Sequence, residues 1–220
     1  MRRLLPVVLI ALAGAVGFVG YRFATAPTVR EISGTAITQA PAPASSAEAQ
    51  LAAPAVPDTL PTFALSDGAG QKRTLADWNG RPRVINFWAT WCEPCRREIP
   101  LLQSLREARK ADGLEVIGIA IDNRPDVLAY AEKVGIQYPI LIGEQEGFDA
   151  ALAFGVNGVL PFTVFADSQG HVAALKVGEL KADQTEFILD TIRELDQGRL
   201  DLAAAKARIA ARIGTRPPTT

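Results

Sequence analysis

One stretch constrains the fold more than any other: residues 83–88, Arg-Val-Ile-Asn-Phe-Trp, pass through Ala89-Thr90-Trp91-Cys92-Glu93-Pro94-Cys95 directly into a helical pattern. Six residues rich in β-branched and aromatic side chains read as a central strand. Beyond it Ile99, Leu102, Leu105 and Ala108 recur at helical spacing, from Pro94 to near Gly113. A strand that turns so quickly into a helix needs a sheet with helices packed on it. The segments downstream keep that alternation. Residues 114–121, LEVIGIAI, read as a buried parallel strand, 125–134 as a helix with Pro125 in its first turn, 138–142 as a short strand and 148–154 as a short helix. Residues 162–166 and 172–177 flank the turn Asp167-Ser168-Gln169-Gly170 and predict a hairpin. Helices are expected over 182–195 and 200–213, and upstream a short strand around Phe63 and Leu65 precedes the Ser66-Asp67-Gly68 turn and a second short element over 74–78. Strand, helix, strand, helix predicts an α/β fold.

The ends carry different information. After Met1-Arg2-Arg3 comes an uncharged apolar run, residues 4–20, whose 17 residues would form a helix of about 25 Å. It reads as a single-pass anchor in the inner (cytoplasmic) membrane, with the arginines cytoplasmic and everything after about residue 24 on the periplasmic or extracytoplasmic side. Tyr21, Arg22 and Phe23 would sit at its outer edge. A cleaved signal is the alternative, since Ala24 and Ala26 form an A-x-A pattern, but Pro27 directly after it disfavours cleavage. Residues 25–57 are dominated by Ala, Pro, Ser and Thr and cannot bury enough to order themselves, so they read as a flexible tether of roughly 30 Å. The expected division is therefore 1–24 anchor or signal, 25–57 linker, 58–197 folded domain and 198–220 helical extension and tail. With 23 basic against 24 acidic residues there is no global field to hold nucleic acid, and none is expected as a partner.

The chemistry lies in the two cysteines, Cys92 and Cys95, the only ones in the chain. A structural disulfide framework needs several bridges at wider spacings. Disulfide exchange needs a thiolate, and the free N–H groups and positive dipole of a helix start lower a cysteine pKa. Cys92 falls at that start and is assigned as nucleophile; Cys95, about one turn inside, is the resolving thiol. Pro94 suits the first turn, where its missing N–H is not needed. A lone C-x-x-C can instead be half a zinc site, but zinc needs two more ligands and the chain holds one histidine, His171, read as an exposed turn residue. No cofactor or metal is expected.

The segment Val84-Ile85-Asn86-Phe87-Trp88-Ala89-Thr90-Trp91-Cys92-Glu93-Pro94-Cys95 resembles the active-site strand of the TlpA/ResA-like thiol–disulfide oxidoreductases, and the similarity extends over about residues 58–180. The resemblance implies a thioredoxin-like fold with a helix–strand insert, which residues 125–142 fit. It also implies that Gly158-Val159-Leu160-Pro161-Phe162-Thr163 is the cis-proline loop, with Pro161 cis and facing the disulfide. Asn86 stands where thioredoxins carry a buried aspartate that takes up the resolving thiol's proton. An amide cannot titrate, and Glu98, three residues beyond Cys95 and matching a glutamate of ResA-like proteins, is the candidate replacement; its alternative is a solvated carboxylate paired with an arginine. Trp91, Glu93, Pro94, Leu160 and Phe162 are the candidate substrate contacts, whereas Trp88 reads as core. Leu160 departs from the small or polar residue usual in relatives, which leaves the substrate open.

Two classes of function compete. The first is an enzyme reducing disulfides in exported proteins such as apocytochrome c, charged by an integral-membrane thiol donor, or a general oxidant or exchanger using the same pair. The second is a thioredoxin-like binding module with an inert disulfide. A peroxidase is disfavoured, because the P-x-x-x-T-x-x-C pattern would need Pro at Ile85 and Thr at Ala89.

Overall fold

The computed structural model describes residues 56–214. The expected anchor, most of the tether and the end of the tail lie outside them. Among the described residues, no helix is long and apolar enough to cross a membrane.

Seven strands form one mixed sheet: β1 (Ala64–Asp67), β2 (Lys72–Thr74), β3 (Arg83–Trp88), β4 (Glu115–Ala120), β5 (Ile140–Ile142), β6 (Phe162–Ala166) and β7 (Val172–Val177), in the order β2-β1-β5-β4-β3-β6-β7. Among the described residues there are five α-helices: α1 (Glu93–Ala108), α2 (Arg124–Val134), α3 (Gln145–Ala153), α4 (Ala182–Asp196) and α5 (Leu202–Ile213). β3, β4 and β5 run parallel, because α1 and α2 carry the chain back between them, while β6 and β7 form the expected antiparallel hairpin. β3 and β4 are buried at every position, which explains why they read as continuous apolar runs without alternation.

The pleat sends alternate β3 side chains to opposite faces. Ile85 and Phe87 join Leu65, Ile117, Ile119, Leu141, Phe154 and Phe162 in a core under α3. Val84 points the other way, into a core shared by Leu102 and Leu105 of α1, Ile188 and Ile192 of α4 and Ile209 of α5. Trp88, on that second face, packs with Cys92, Cys95, Ile99 and Val127. The C-terminal helix, read from the sequence as an extension beyond 197, is thus built into the second core of the domain.

The start of the domain is held beside the hairpin turn. Thr59 bridges His171, the Leu60 N–H donates to the Gly170 carbonyl (2.9 Å), and the Val172 N–H donates to the Asp58 carbonyl (2.8 Å). Lys206 of α5 pairs with the Asp58 carboxylate at 2.7 Å. In the register of β3, β6 and β7, Phe87 lies opposite Phe162 and Phe162 opposite Val177, while Val172 lies opposite Ala166 at the other end. The segment around Asp58 therefore sits at the pole of the sheet remote from the cysteines.

Candidate active site

β3 ends at Trp88 and the chain needs only Ala89, Thr90 and Trp91 to reach the helix. The Cys92 N–H donates to the Ala89 carbonyl at 3.2 Å, closing that turn. Cys92 is the N-cap of α1: its Sγ accepts from the Cys95 N–H at 3.3 Å, the role a Ser or Asp side chain usually fills. Pro94 lies in the first turn as expected. The two cysteines form a disulfide. Cys92 is 5% exposed and Cys95 is fully buried.

The Leu160–Pro161 peptide bond is cis. Pro161 precedes β6, one residue beyond the Phe87–Phe162 pair, at the end of the sheet where β3 delivers Cys92. Its carbonyl accepts from the Gly178 N–H at 2.8 Å. Leu160 packs against the cluster containing both cysteines. Trp91 is 70% exposed beside Cys92. Glu93 is exposed as well, and Arg97 bonds it at 3.1 Å while holding Glu179 at 2.7 Å. Phe162 is a correction. Strand alternation turns its ring to the α3 face of the sheet, where it is fully buried and stacks on Phe87 at 4.2 Å, so it offers no contact to a bound partner.

Glu98 is 2% exposed, which removes the solvated, arginine-paired alternative. Its carboxylate accepts from the Asn86 amide at 2.6 Å and from the Leu180 N–H at 2.9 Å. Burial pushes its pKa up from 4.5 to about 7, opposed by these two hydrogen bonds and by Lys176, and aided by the charge of Glu179. Asn86 also donates to the Thr163 hydroxyl at 3.0 Å. The carboxyl is an i, i+3 neighbour of Cys95 on α1 and both are buried, so it is the buried carboxyl nearest in sequence to the resolving thiol. Trp88 and Tyr138 close the same side of the sheet over Gly118. A Cβ there would lie 3.0 Å from the Trp88 Nε1 and 3.1 Å from the Tyr138 ring, so only glycine admits both aromatics.

One residue of the site escaped the sequence reading. Asp122, just past β4, accepts from the Thr90 N–H at 3.0 Å and from the Thr90 hydroxyl. The available signal was an acidic residue at the carboxyl end of a parallel strand, the edge where α/β sheets place their chemistry. His171 is half-buried and bonds Asp167 at 2.8 Å, in the hairpin turn at the remote pole. Among the described residues no group of three or more His, Cys, Asp or Glu is placed to hold a metal ion.

This arrangement agrees with known proteins. Residues 56–191 match the AhpC/TSA family. A thiol-disulfide oxidoreductase ResA from Geobacillus thermodenitrificans is 34% identical over 140 residues, covering 63% of this chain and 79% of the relative. A thiol:disulfide interchange protein of the thioredoxin family from Chlorobium tepidum superposes with a TM-score of 0.55 at 28% identity, over 62% of this chain and 97% of that one. A secreted thiol-disulfide isomerase from Corynebacterium glutamicum gives 0.56 at 27% identity, over 63% and 85%. A thioredoxin-like sheet, a disulfide at its active-site helix start, a cis-proline and these relatives lead to one conclusion: the chain belongs to the AhpC/TSA family and, within it, to the TlpA/ResA-like thiol–disulfide oxidoreductases.

Proposed function

We propose that this enzyme works from a membrane anchor on the extracytoplasmic side and reduces disulfides in exported proteins, with apocytochrome c before haem attachment as substrate and an integral-membrane thiol carrier as electron donor. The apolar residues 4–20 behind Arg2-Arg3 support the anchor, and the resemblance to ResA-like proteins supports the substrate class. The observation that carries the direction of attack is the graded access of the pair, Cys92 at the helix entrance and Cys95 sealed behind it.

In the proposed cycle the donor first reduces the Cys92–Cys95 disulfide with two electrons and two protons. The Cys92 thiolate attacks one sulfur of the substrate disulfide, forming a mixed disulfide and releasing the other substrate sulfur as a thiolate that takes a proton. Glu98 accepts the proton of Cys95, and the Cys95 thiolate attacks the Cys92 sulfur. That step restores the internal disulfide and expels the second substrate thiol. The substrate gains two electrons, the pair loses them, and no other co-reactant is needed. Trp91, exposed beside Cys92, Leu160, packed against the cysteine cluster, and the cis Pro161 are the residues proposed to meet the bound substrate.

Trapping tests the roles. The Cys95→Ser variant should accumulate covalent complexes with exported proteins, and Cys92→Ser should not; complexes on Cys95 instead would reverse the assignment. Apocytochrome c among the trapped species supports the substrate, and its absence in cells making cytochrome c rejects it.

A further inference from the structure

We propose that Asp122 is a positioning residue that sets the turn delivering Cys92 to the head of α1, an inference that rests on the exchange reading of the cysteine pair. Asp122 is 8% exposed, and among the described residues it makes no ion pair. A buried carboxylate without a cation is expensive unless hydrogen bonds replace its water. Its bonds are organised in two halves. Oδ1 accepts from the N–H of Asn123 at 2.8 Å and from its side-chain amide at 3.2 Å, while Asn123 in turn caps α2 by accepting from the Asp126 N–H at 3.0 Å. This half fixes the carboxylate to the end of β4 and the start of α2. Oδ2 accepts both donors of Thr90, backbone and hydroxyl, across 32 residues of sequence.

Thr90 is the middle of the three residues between β3 and Cys92, and the other restraints act on either side of it. The Ile121 N–H reaches back to the Trp88 carbonyl at 2.9 Å, and the Cys92 N–H reaches the Ala89 carbonyl at 3.2 Å. Asp122 supplies the lateral hold that neither provides. Without it, Thr90 and the exposed Trp91 lose their anchor to the sheet, and the Cys92 sulfur loses its fixed relation to the helix N–H groups that favour its thiolate. A charge here is not required for packing: an asparagine fills the same volume and keeps one carbonyl oxygen for Thr90, but turns an amide toward the Asn123 donors. That an aspartate holds the position fits a device that must grip on both sides.

Two disruptive variants of the full chain and one conservative control test this. Thr90→Val removes only the hydroxyl bond at a half-buried site; Thr90→Ser keeps it. Asp122→Asn leaves the volume and disturbs the grip. We expect Thr90→Val and Asp122→Asn to slow attack on a model disulfide about tenfold, to shift the pH midpoint of Cys92 alkylation and to change Trp91 fluorescence on reduction, with Thr90→Ser restoring the parent values. Unchanged rate, midpoint and fluorescence in both variants would overturn the inference. Because the alkylation midpoint and the fluorescence report the turn whether or not the substrate is right, a parent chain that reduces no exported protein would reject the proposed function and leave this test intact.

Discussion

At the scale of single residues, Glu98 is where the structure adds most to the sequence. Its pKa of about 7 in the folded protein, against 4.5 when unfolded, means that the native state holds the proton more tightly. Stability therefore falls as pH rises from about 4.5, and the loss is complete above about 7; a rise of this size corresponds to about 3 kcal/mol. Glu98→Gln cannot titrate. Urea unfolding between pH 5 and pH 8 should show the parent losing more stability than the variant across that window, and the variant's exchange rate should lose the inflection near neutral pH. Equal slopes would return Glu98 to a purely structural role. The sequence placed this carboxylate on the face of Cys95 but left its burial open, because burial comes from Asn86 and the Leu180 N–H, 12 and 82 residues away. Poise is also set locally. Arg97 divides its charge between Glu93 and Glu179, so the carboxylate beside Cys92 is only partly offset, at an exposed site where screening is strong. A carboxylate so placed works against extra negative charge beside Cys92, which is the basis for proposing a reducing pair. Equilibration with glutathione should give a potential nearer to roughly −270 mV than to roughly −120 mV, and the higher value would make the protein an oxidant.

At the scale of elements, legibility followed how each segment is bounded. β3, β6 and β7 have the limits read from sequence, because Pro82, Pro161 and the two hairpin glycines, Gly170 and Gly178, end their apolar runs abruptly. β5 begins at Ile140, not at 138: Tyr138 is apolar and buried, but it is buried by packing over Gly118, and Pro139 interrupts the strand before it. α3 begins three residues before the expected 148, since its first turn, Gln145-Glu146-Gly147, offers no apolar periodicity. α5 was legible as a helix and not as part of the domain, since nothing in Leu202–Ile213 says which surface its apolar stripe covers. Ile209 is fully buried in the core shared with α1 and α4. Ile209→Ala should therefore cost about 2–4 kcal/mol in denaturant unfolding, where a helix merely appended to the domain would lose almost nothing.

For the whole molecule, the cysteine motif and the strand–helix junction together made the fold and the chemistry readable, while the grip of Asp122 on Thr90 and the misplaced Phe162 depended on which face of the sheet each residue meets. A strand's period of two gives the alternation but not its phase relative to a partner. The proposed anchor is tested at this scale too. Full-length protein should fractionate with membranes, with residues 25–57 open to protease from the outer side; a soluble mature form beginning near Pro27 would show a cleaved signal instead.

The bonding of Asp58, Thr59 and Leu60 beside the hairpin turn has a mechanical meaning. Whatever chain precedes residue 56 must join the domain at the pole opposite Cys92, and Lys206 secures that joint to the final helix. If residues 25–57 are a tether as proposed, a pull through them would bear on the back of the sheet and leave the disulfide at the far end, like the tip of a fishing rod. Shortening the linker would restrict where that tip can reach, without touching the geometry that makes it reactive.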